Sequence, residues 1–125
     1  MFEEFNDKTP IYLQLVDIFK MSIANGTWPI GGRVDTVRDL AIRYQVNPNT
    51  VQRSLAELER ENLVFSERTS GRYITNDEGV VREIRAKLAA RKISDYAEQM
   101  SLLGFGSEEI LAMTGRYLSE GNIGG

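Results

Sequence analysis

The chain has 125 residues, a length that suits one small domain with an appendage. It contains no cysteine and no histidine, which excludes disulfides, thiolate nucleophiles, imidazole bases and Cys-ligated metal sites. Its 15 basic and 18 acidic side chains give a net charge of −3, so the overall charge does not by itself indicate nucleic-acid binding.

The opening residues and the hydropathy pattern bear on localisation. The run Met1-Phe2-Glu3-Glu4-Phe5 is acidic, whereas a secretory signal peptide starts with a basic region. No apolar run approaches the roughly 20 residues that a membrane helix needs. We therefore expect a cytoplasmic protein that does not engage a membrane.

Two helices are predicted in the first third of the chain. Pro10 suits the first turn of a helix, where its missing N–H is harmless, and Asn25-Gly26 ends that helix. Thr36, followed by Asp39 three residues later, fits an acidic variant of the capping box and begins a short second helix.

A third helix follows after only a few residues. Asn47-Pro48 supplies an N-cap and a first-turn proline together, which is a strong start signal. The helix is predicted over residues 48–61 and ends at Asn62, because asparagine tolerates the left-handed conformation found after helices. The short connection to the second helix indicates a helix-turn-helix.

Beyond this helix the period of the apolar residues changes. Residues 63–67 and 72–75 are strand-like and are separated by a turn, which predicts a small β-hairpin. A long helix is then predicted over residues 80–103. Ser107 is predicted to cap a last helix that carries acidic residues in its first turn.

This order of elements predicts a mainly α fold with a small β-hairpin. Residues 1–76 form a winged helix-turn-helix DNA-binding domain, and residues 77–125 form a two-helix C-terminal dimerisation appendage. Pairing with a second copy would cover the apolar stripe of the appendage, although packing of the stripe on its own winged domain remains an alternative. The predicted dimer interface comprises Ile84, Leu88, Tyr96, Met100, Ile110 and Tyr117.

The opening of the third helix carries the candidate DNA contacts, because a helix-turn-helix presents this end to the bases of a major groove. Asparagine and glutamine can pair with adenine and arginine with guanine, while a threonine hydroxyl can serve a base or a phosphate. Arg38, in the first turn of the second helix, would reach the flanking backbone. The candidates in the third helix are Asn47, Asn49, Thr50, Gln52 and Arg53.

Each candidate also has a role that needs no DNA. Asn47 is a good N-cap in any helix. Charged residues at helical spacing are often surface ion pairs. The competing interpretations are a solvated ion-pair face formed by Arg53, Glu57 and Arg60, a pair of Arg38 with Asp35, and a pair of Asp39 with Arg43.

Several runs of residues, in a fixed order within residues 9–75, resemble the GntR family of bacterial transcriptional regulators. They match the family's opening helix, its second helix and its recognition segment. The recognition run and the short tail are similar to the YtrA-like branch. The runs are Pro10-Ile11-Tyr12-Leu13-Gln14-Leu15, Gly32-Arg33-Val34-Asp35-Thr36-Val37-Arg38-Asp39-Leu40-Ala41, Val46-Asn47-Pro48-Asn49-Thr50-Val51-Gln52-Arg53-Ser54-Leu55 and Leu58-Glu59-Arg60-Glu61-Asn62-Leu63-Val64.

The resemblance implies a role for each matching position. It makes Arg38 a phosphate or base contact, and it places the polar residues that open the third helix against the bases. It also implies a two-helix dimerisation tail without a large effector domain. Val34-Asp35-Thr36 departs from the Leu-Pro-Ser that is usual in the family. The wing, which approaches the minor groove in the family, matches Arg68, Thr69, Ser70 and Gly71.

We therefore expect a sequence-specific regulator, a repressor that binds double-stranded DNA as a homodimer on a pseudo-palindromic operator. Control of transporter genes is what the YtrA-like resemblance implies, and a small-molecule effector is left open. We expect no cofactor, no metal and no enzymatic activity. The alternative is a winged-helix module that binds another protein without reading DNA, which the lack of net positive charge favours.

Overall fold

The computed structural model describes residues 5–121, so the acidic run Met1-Phe2-Glu3-Glu4 lies outside the described part. Within it, five helices and one antiparallel pair of strands follow the predicted order. The mainly α fold with a small hairpin is thereby confirmed. The elements are α1 (Ile11–Ala24), α2 (Val37–Tyr44), α3 (Pro48–Arg60), β1 (Val64–Glu67), β2 (Gly71–Ile74), α4 (Glu78–Leu102) and α5 (Ser107–Glu120).

The chain forms two compact units, one that ends at Ala86 and one that begins at Lys87. The division falls within α4, because the first turns of that helix contribute Val81 and Ile84 to the core of the first unit. Arg85 adds a polar contact there, since its Nε donates to the carbonyl oxygen of Ala24 at 3.1 Å. The functional boundary predicted between residues 76 and 77 stays a prediction.

The core of the first unit joins α1, α2, α3 and the hairpin. Phe19 is fully buried at its centre, 4.8 Å from the ring of Trp28 and 5.8 Å from the ring of Tyr44 between centroids. Burial of these apolar side chains is what fixes the three helices against one another. Other buried members are Leu15, Ile23, Leu40, Val51, Leu55, Leu58, Leu63, Val64 and Ile74.

The turn between α2 and α3 is fixed by polar contacts at both helix ends. The Thr36 hydroxyl accepts from the backbone N–H of Asp39 at 3.1 Å, as the capping motif predicts. Gln45, with a φ of 55°, follows α2 in the left-handed conformation. The next N–H, that of Val46, donates to the carbonyl of Ala41 at 3.0 Å, which completes a Schellman-type helix end.

Replacing Gln45 with glycine is expected to stabilise the protein by about 0.5 kcal/mol. The left-handed conformation costs a residue with a Cβ about 1–2 kcal/mol, and the greater freedom of glycine in the unfolded chain cancels part of that gain. Urea unfolding at one fixed protein concentration would measure the change. As a control, Ala56→Gly within α3 should destabilise by about 1 kcal/mol. Equal losses in the two variants would contradict the expectation.

The hairpin is extended by a third segment that the sequence did not reveal. β1 and β2 pair antiparallel, with Val64 opposite Ile74. The loop before α2 then joins β2, because the N–H of Val34 donates to the Arg72 carbonyl and the N–H of Ile74 to the Gly32 carbonyl, both at 2.8 Å. The wing is therefore held to the loop that leads into α2.

The second unit contains the rest of α4 and all of α5. Gly106, and not the predicted Ser107, is the N-cap of α5, and its N–H donates to Glu109 Oε1 at 3.0 Å. The hydroxyls of Tyr96 and Thr114 lie 2.7 Å apart and link the two helices. None of the described side chains from residue 87 onward is buried within the single chain. In the part of the chain that the structure covers, no helix has the length and apolar character of a membrane span.

Candidate nucleic-acid interface

The two sides of α3 divide cleanly into packing and exposed residues. Val51, Leu55 and Leu58 are buried in the core, together with Ser54. The Ser54 hydroxyl lies 3.0 Å from the Tyr12 carbonyl of α1 and 2.9 Å from the Thr50 carbonyl. These contacts set the rotation of α3 about its axis. That rotation leaves most of the predicted DNA contacts exposed, namely Asn47, Asn49, Gln52 and Arg53, with Thr50 half-buried.

Asn47 has the capping role that its position predicts. Its side-chain oxygen accepts from the backbone N–H of Asn49 at 2.7 Å. The oxygen is thus occupied by the helix end, and the amide nitrogen is the part that could donate to a base or a phosphate. The exposed Asn49 follows directly in the first turn of α3.

Arg53 does not take part in the ion pair that its spacing suggests. Glu57 pairs with Arg60, whose Nε lies 3.0 Å from Glu57 Oε1, and this hydrogen bond lowers the pKa of the Glu57 carboxyl to about 2. The Arg53 guanidinium instead lies over the ring of Tyr12, 3.8 Å from its centroid. Among the described residues no carboxylate forms a salt bridge with Arg53, so its N–H donors are available to a ligand.

The pairings proposed for the second helix are both wrong. Asp35 binds Arg43, with Nη2 and Oδ2 2.7 Å apart, and this hydrogen bond raises the pKa of Arg43. In the described part of the chain Arg43 forms its salt bridge with Asp35 and not with Asp39, whose charge still contributes to raising the pKa of Arg43, and Asp35 forms none with Arg38. Arg38 is exposed and forms no salt bridge within residues 5–121. The Arg43 charge beside Asp35 reduces the repulsion that this residue would otherwise exert on a nearby phosphate.

A polar network between α3 and the hairpin was not found from the sequence. Arg72 Nε donates to Glu59 Oε1 at 2.7 Å, and Arg72 Nη2 donates to Gln52 Oε1 at 2.8 Å. The Ser66 hydroxyl also donates to Glu59 Oε1, at 3.0 Å. The network links two strands to the exposed side of the recognition helix. Only Gln52 among its members was a predicted DNA contact.

The tip of the wing is largely exposed. Arg68, Thr69 and Gly71 are exposed and Ser70 is half-buried. Gly71 has a φ of 108°, and an added Cβ there would lie 3.3 Å from Nε and Nη2 of Arg33. Arg33, which the sequence did not single out, thus lies at the base of the wing. Among the described residues, no hydrogen bond or salt bridge joins Arg38 or Arg68 to the network of Arg72.

The predicted dimer residues fall into three groups by exposure. Ile84 belongs to the core of the first unit, so its side chain is already covered within one chain. Tyr96 and Tyr117 are 40% and 52% exposed. The half-buried remainder comprises Leu88, Met100 and Ile110.

The chain is similar to known bacterial regulators over most of its length. Residues 11–74 match the sequence pattern of the family described as bacterial regulatory proteins, gntR family. YhcF of Bacillus subtilis (strain 168), an HTH-type transcriptional regulator, is 37% identical over 112 residues, which cover 89% of this chain and 92% of YhcF. The HTH-type transcriptional repressor YtrA of the same organism is 38% identical over 95 residues, which cover 76% of this chain and 68% of YtrA.

A solved structure shows the same architecture. The GntR family transcriptional regulator from Listeria monocytogenes superposes with a TM-score of 0.80 at 34% identity, covering 90% of this chain and 98% of that one. The resemblance carried by the sequence motifs is thus confirmed. The chain belongs to the GntR family of bacterial regulatory proteins, and it is a DNA-binding transcriptional regulator with a winged helix-turn-helix domain.

Proposed function

We propose that the protein is a homodimeric repressor that binds a pseudo-palindromic operator in double-stranded DNA and acts in the cytoplasm. In this proposal α3 enters the major groove and the wing lies along the adjacent backbone. The observation that carries it is the exposed polar opening of α3, on which Arg53 stacks on Tyr12 and keeps its N–H donors unpaired.

The charges at this surface favour a nucleic-acid ligand despite the net charge of −3. Salt bridges to Arg43 and Arg60 offset the charges of Asp35 and Glu57, two acidic residues close in sequence to Arg38 and Arg53. Arg38 and Arg53 have no such partner within residues 5–121. An exposed arginine suits both a phosphate and the O6 and N7 acceptors of guanine.

The second unit supports a dimer. No described side chain from residue 87 onward is buried, while α4 and α5 expose several large apolar side chains there. A helix pair with so little core gains stability by covering this surface with another copy. The most exposed apolar residues are Ile93, Leu102, Leu103, Leu111 and Leu118.

The repressing role rests on likeness to YtrA, a protein named as a transcriptional repressor. A dimer bound across a promoter would block RNA polymerase, which is the simplest mechanism of repression. Control of transporter genes is the finer prediction of the same resemblance. A small-molecule effector remains open in this proposal.

Selection from a random duplex library at near-physiological salt would test the proposal. We expect an enriched two-fold symmetric motif with half-sites centred about one helical turn, or about 10 base pairs, apart. A matched variant with Arg38 and Arg53 both replaced by alanine should keep its helicity and lose the enrichment. Failure of the native protein to enrich any sequence, together with binding to another protein, would favour the protein-interaction module instead.

A further inference from the structure

We infer that Arg72, on the wing strand β2, is a positioning residue for Gln52 and thereby sets the base preference of the recognition helix. The inference rests on the proposed DNA-binding function. The side-chain amide of Gln52 is exposed, and Arg72 orients it before DNA binds. The orientation arises from a residue outside α3, so the wing takes part in base reading without touching a base.

Two contacts fix the Arg72 guanidinium in place. Its Nε donates to Glu59 Oε1 at 2.7 Å, and its Nη2 donates to Gln52 Oε1 at 2.8 Å. Glu59 is itself held by the Ser66 hydroxyl at 3.0 Å. The Arg72 side chain is only 26% exposed and that of Glu59 32% exposed. A planar guanidinium held at two points cannot turn independently of either partner.

The fixed guanidinium determines which part of the Gln52 amide is free. A glutamine side chain has one acceptor oxygen and two N–H donors. An amide that is free to rotate can present either its oxygen or its nitrogen to a base. A bidentate contact to adenine uses the oxygen to accept from N6 and the nitrogen to donate to N7. Because Gln52 Oε1 accepts from Arg72, the amide offers its Nε2 donors. Donors without a matching acceptor favour N7 and O6 of guanine or O4 of thymine over adenine, whose bidentate contact needs both a donor and an acceptor.

The ion pair with Glu59 separates this role from that of an ordinary phosphate contact. A phosphate contact requires a positive charge that is free to meet the backbone, and its loss weakens binding to all sequences alike. The charge of Arg72 is already met by Glu59 within the protein. Loss of Arg72 should therefore change which base is preferred more than it changes overall affinity.

The test compares base preferences of the full chain with and without Arg72. Arg72→Met keeps the length of the aliphatic stem, and Arg72→Lys keeps the charge but lacks the planar fork. After selection from the random library, both variants should shift one operator position from guanine or thymine toward adenine by about tenfold. The other positions should stay unchanged. In a Gln52→Ala background, Arg72→Met should cause no further shift at that position.

Three results would overturn the inference. A uniform loss of affinity in Arg72→Met that Arg72→Lys restores would make Arg72 a phosphate contact. An unchanged preference in both variants would show that Arg72 does not orient Gln52. A shift that persists in the Gln52→Ala background would assign the effect to another residue. In all three the native protein still enriches an operator, whereas failure of the proposed function appears as no enrichment by the native protein itself.

Discussion

Replacing Arg53 with alanine is expected to lower operator affinity about tenfold to a hundredfold and to relax the preference at one base pair. A bidentate arginine contact to a guanine contributes about 1–3 kcal/mol of discrimination. Arg53 suits such a contact because its guanidinium is held 3.8 Å from the Tyr12 ring centroid and forms no salt bridge in the described part of the chain. Fluorescence anisotropy with the selected operator and its single-base variants would measure both effects.

Arg60→Ala provides a matched control on the same helix. Arg60 is also an exposed arginine of α3, but it is paired with Glu57, and its loss should change affinity by less than about twofold. Equal effects of Arg53→Ala and Arg60→Ala would reduce the role of Arg53 to a contribution to net charge. A drop in affinity with an unchanged base preference would instead make Arg53 a backbone contact.

The contact with Tyr12 has its own consequence. A cation–π contact at an exposed site contributes about 0.5–1 kcal/mol, and it restricts the rotamers of the arginine before DNA binds. Tyr12→Phe keeps the ring and should bind DNA as the native protein does. Tyr12→Leu removes the ring, and its smaller loss of affinity should disappear in an Arg53→Ala background. Such non-additivity is the signature of two residues that act together.

The fold could be read from the sequence because its signals are local. Asn47 and Pro48 mark the start of α3 through a cap and a fixed φ, and the structure places both as predicted. Asn62 was expected to be left-handed after α3, and it has a φ of 63°. Gln45 adopts the same conformation after α2 without any sequence signal, because glutamine has no preference for it. There the packing of two helices overrides local propensity.

The sequence indicated the exposed polar opening of α3 but not the partners of its charged residues. Helical spacing paired Asp39 with Arg43, whereas the structure pairs Arg43 with Asp35 in the loop before α2. The contact of Arg53 with Tyr12 and that of Arg72 with Gln52 join elements distant in sequence. Spacing within one helix describes only neighbours on that helix. Contacts between elements depend on the rotation of each helix, which the buried core sets.

The apolar surface of the second unit leads to the prediction with the largest effect. Leu111 and Leu118 are 77% and 78% exposed, and their spacing of two helical turns places them on one side of α5. Replacing both with glutamate would place charges where a second copy is expected to pack, at a high cost in desolvation. The double variant should be monomeric by light scattering at micromolar concentration, where the native chain should be a dimer. Arg116→Glu, a charge change at another exposed position of α5, should leave the dimer intact.

The affinity for the operator should also fall when the dimer is lost. In a dimer, binding of one winged domain holds the second one at a high effective concentration near the other half-site. A monomer lacks this gain, so affinity for the full operator should drop by about a hundredfold or more. Affinity for an isolated half-site should not change, because α3 and the wing belong to the first unit and the substituted residues to the second. A loss at the half-site would mean that the glutamates damage the winged domain itself. A dimer that survives both substitutions would place the interface on another face, and a monomeric native chain would contradict the dimer altogether.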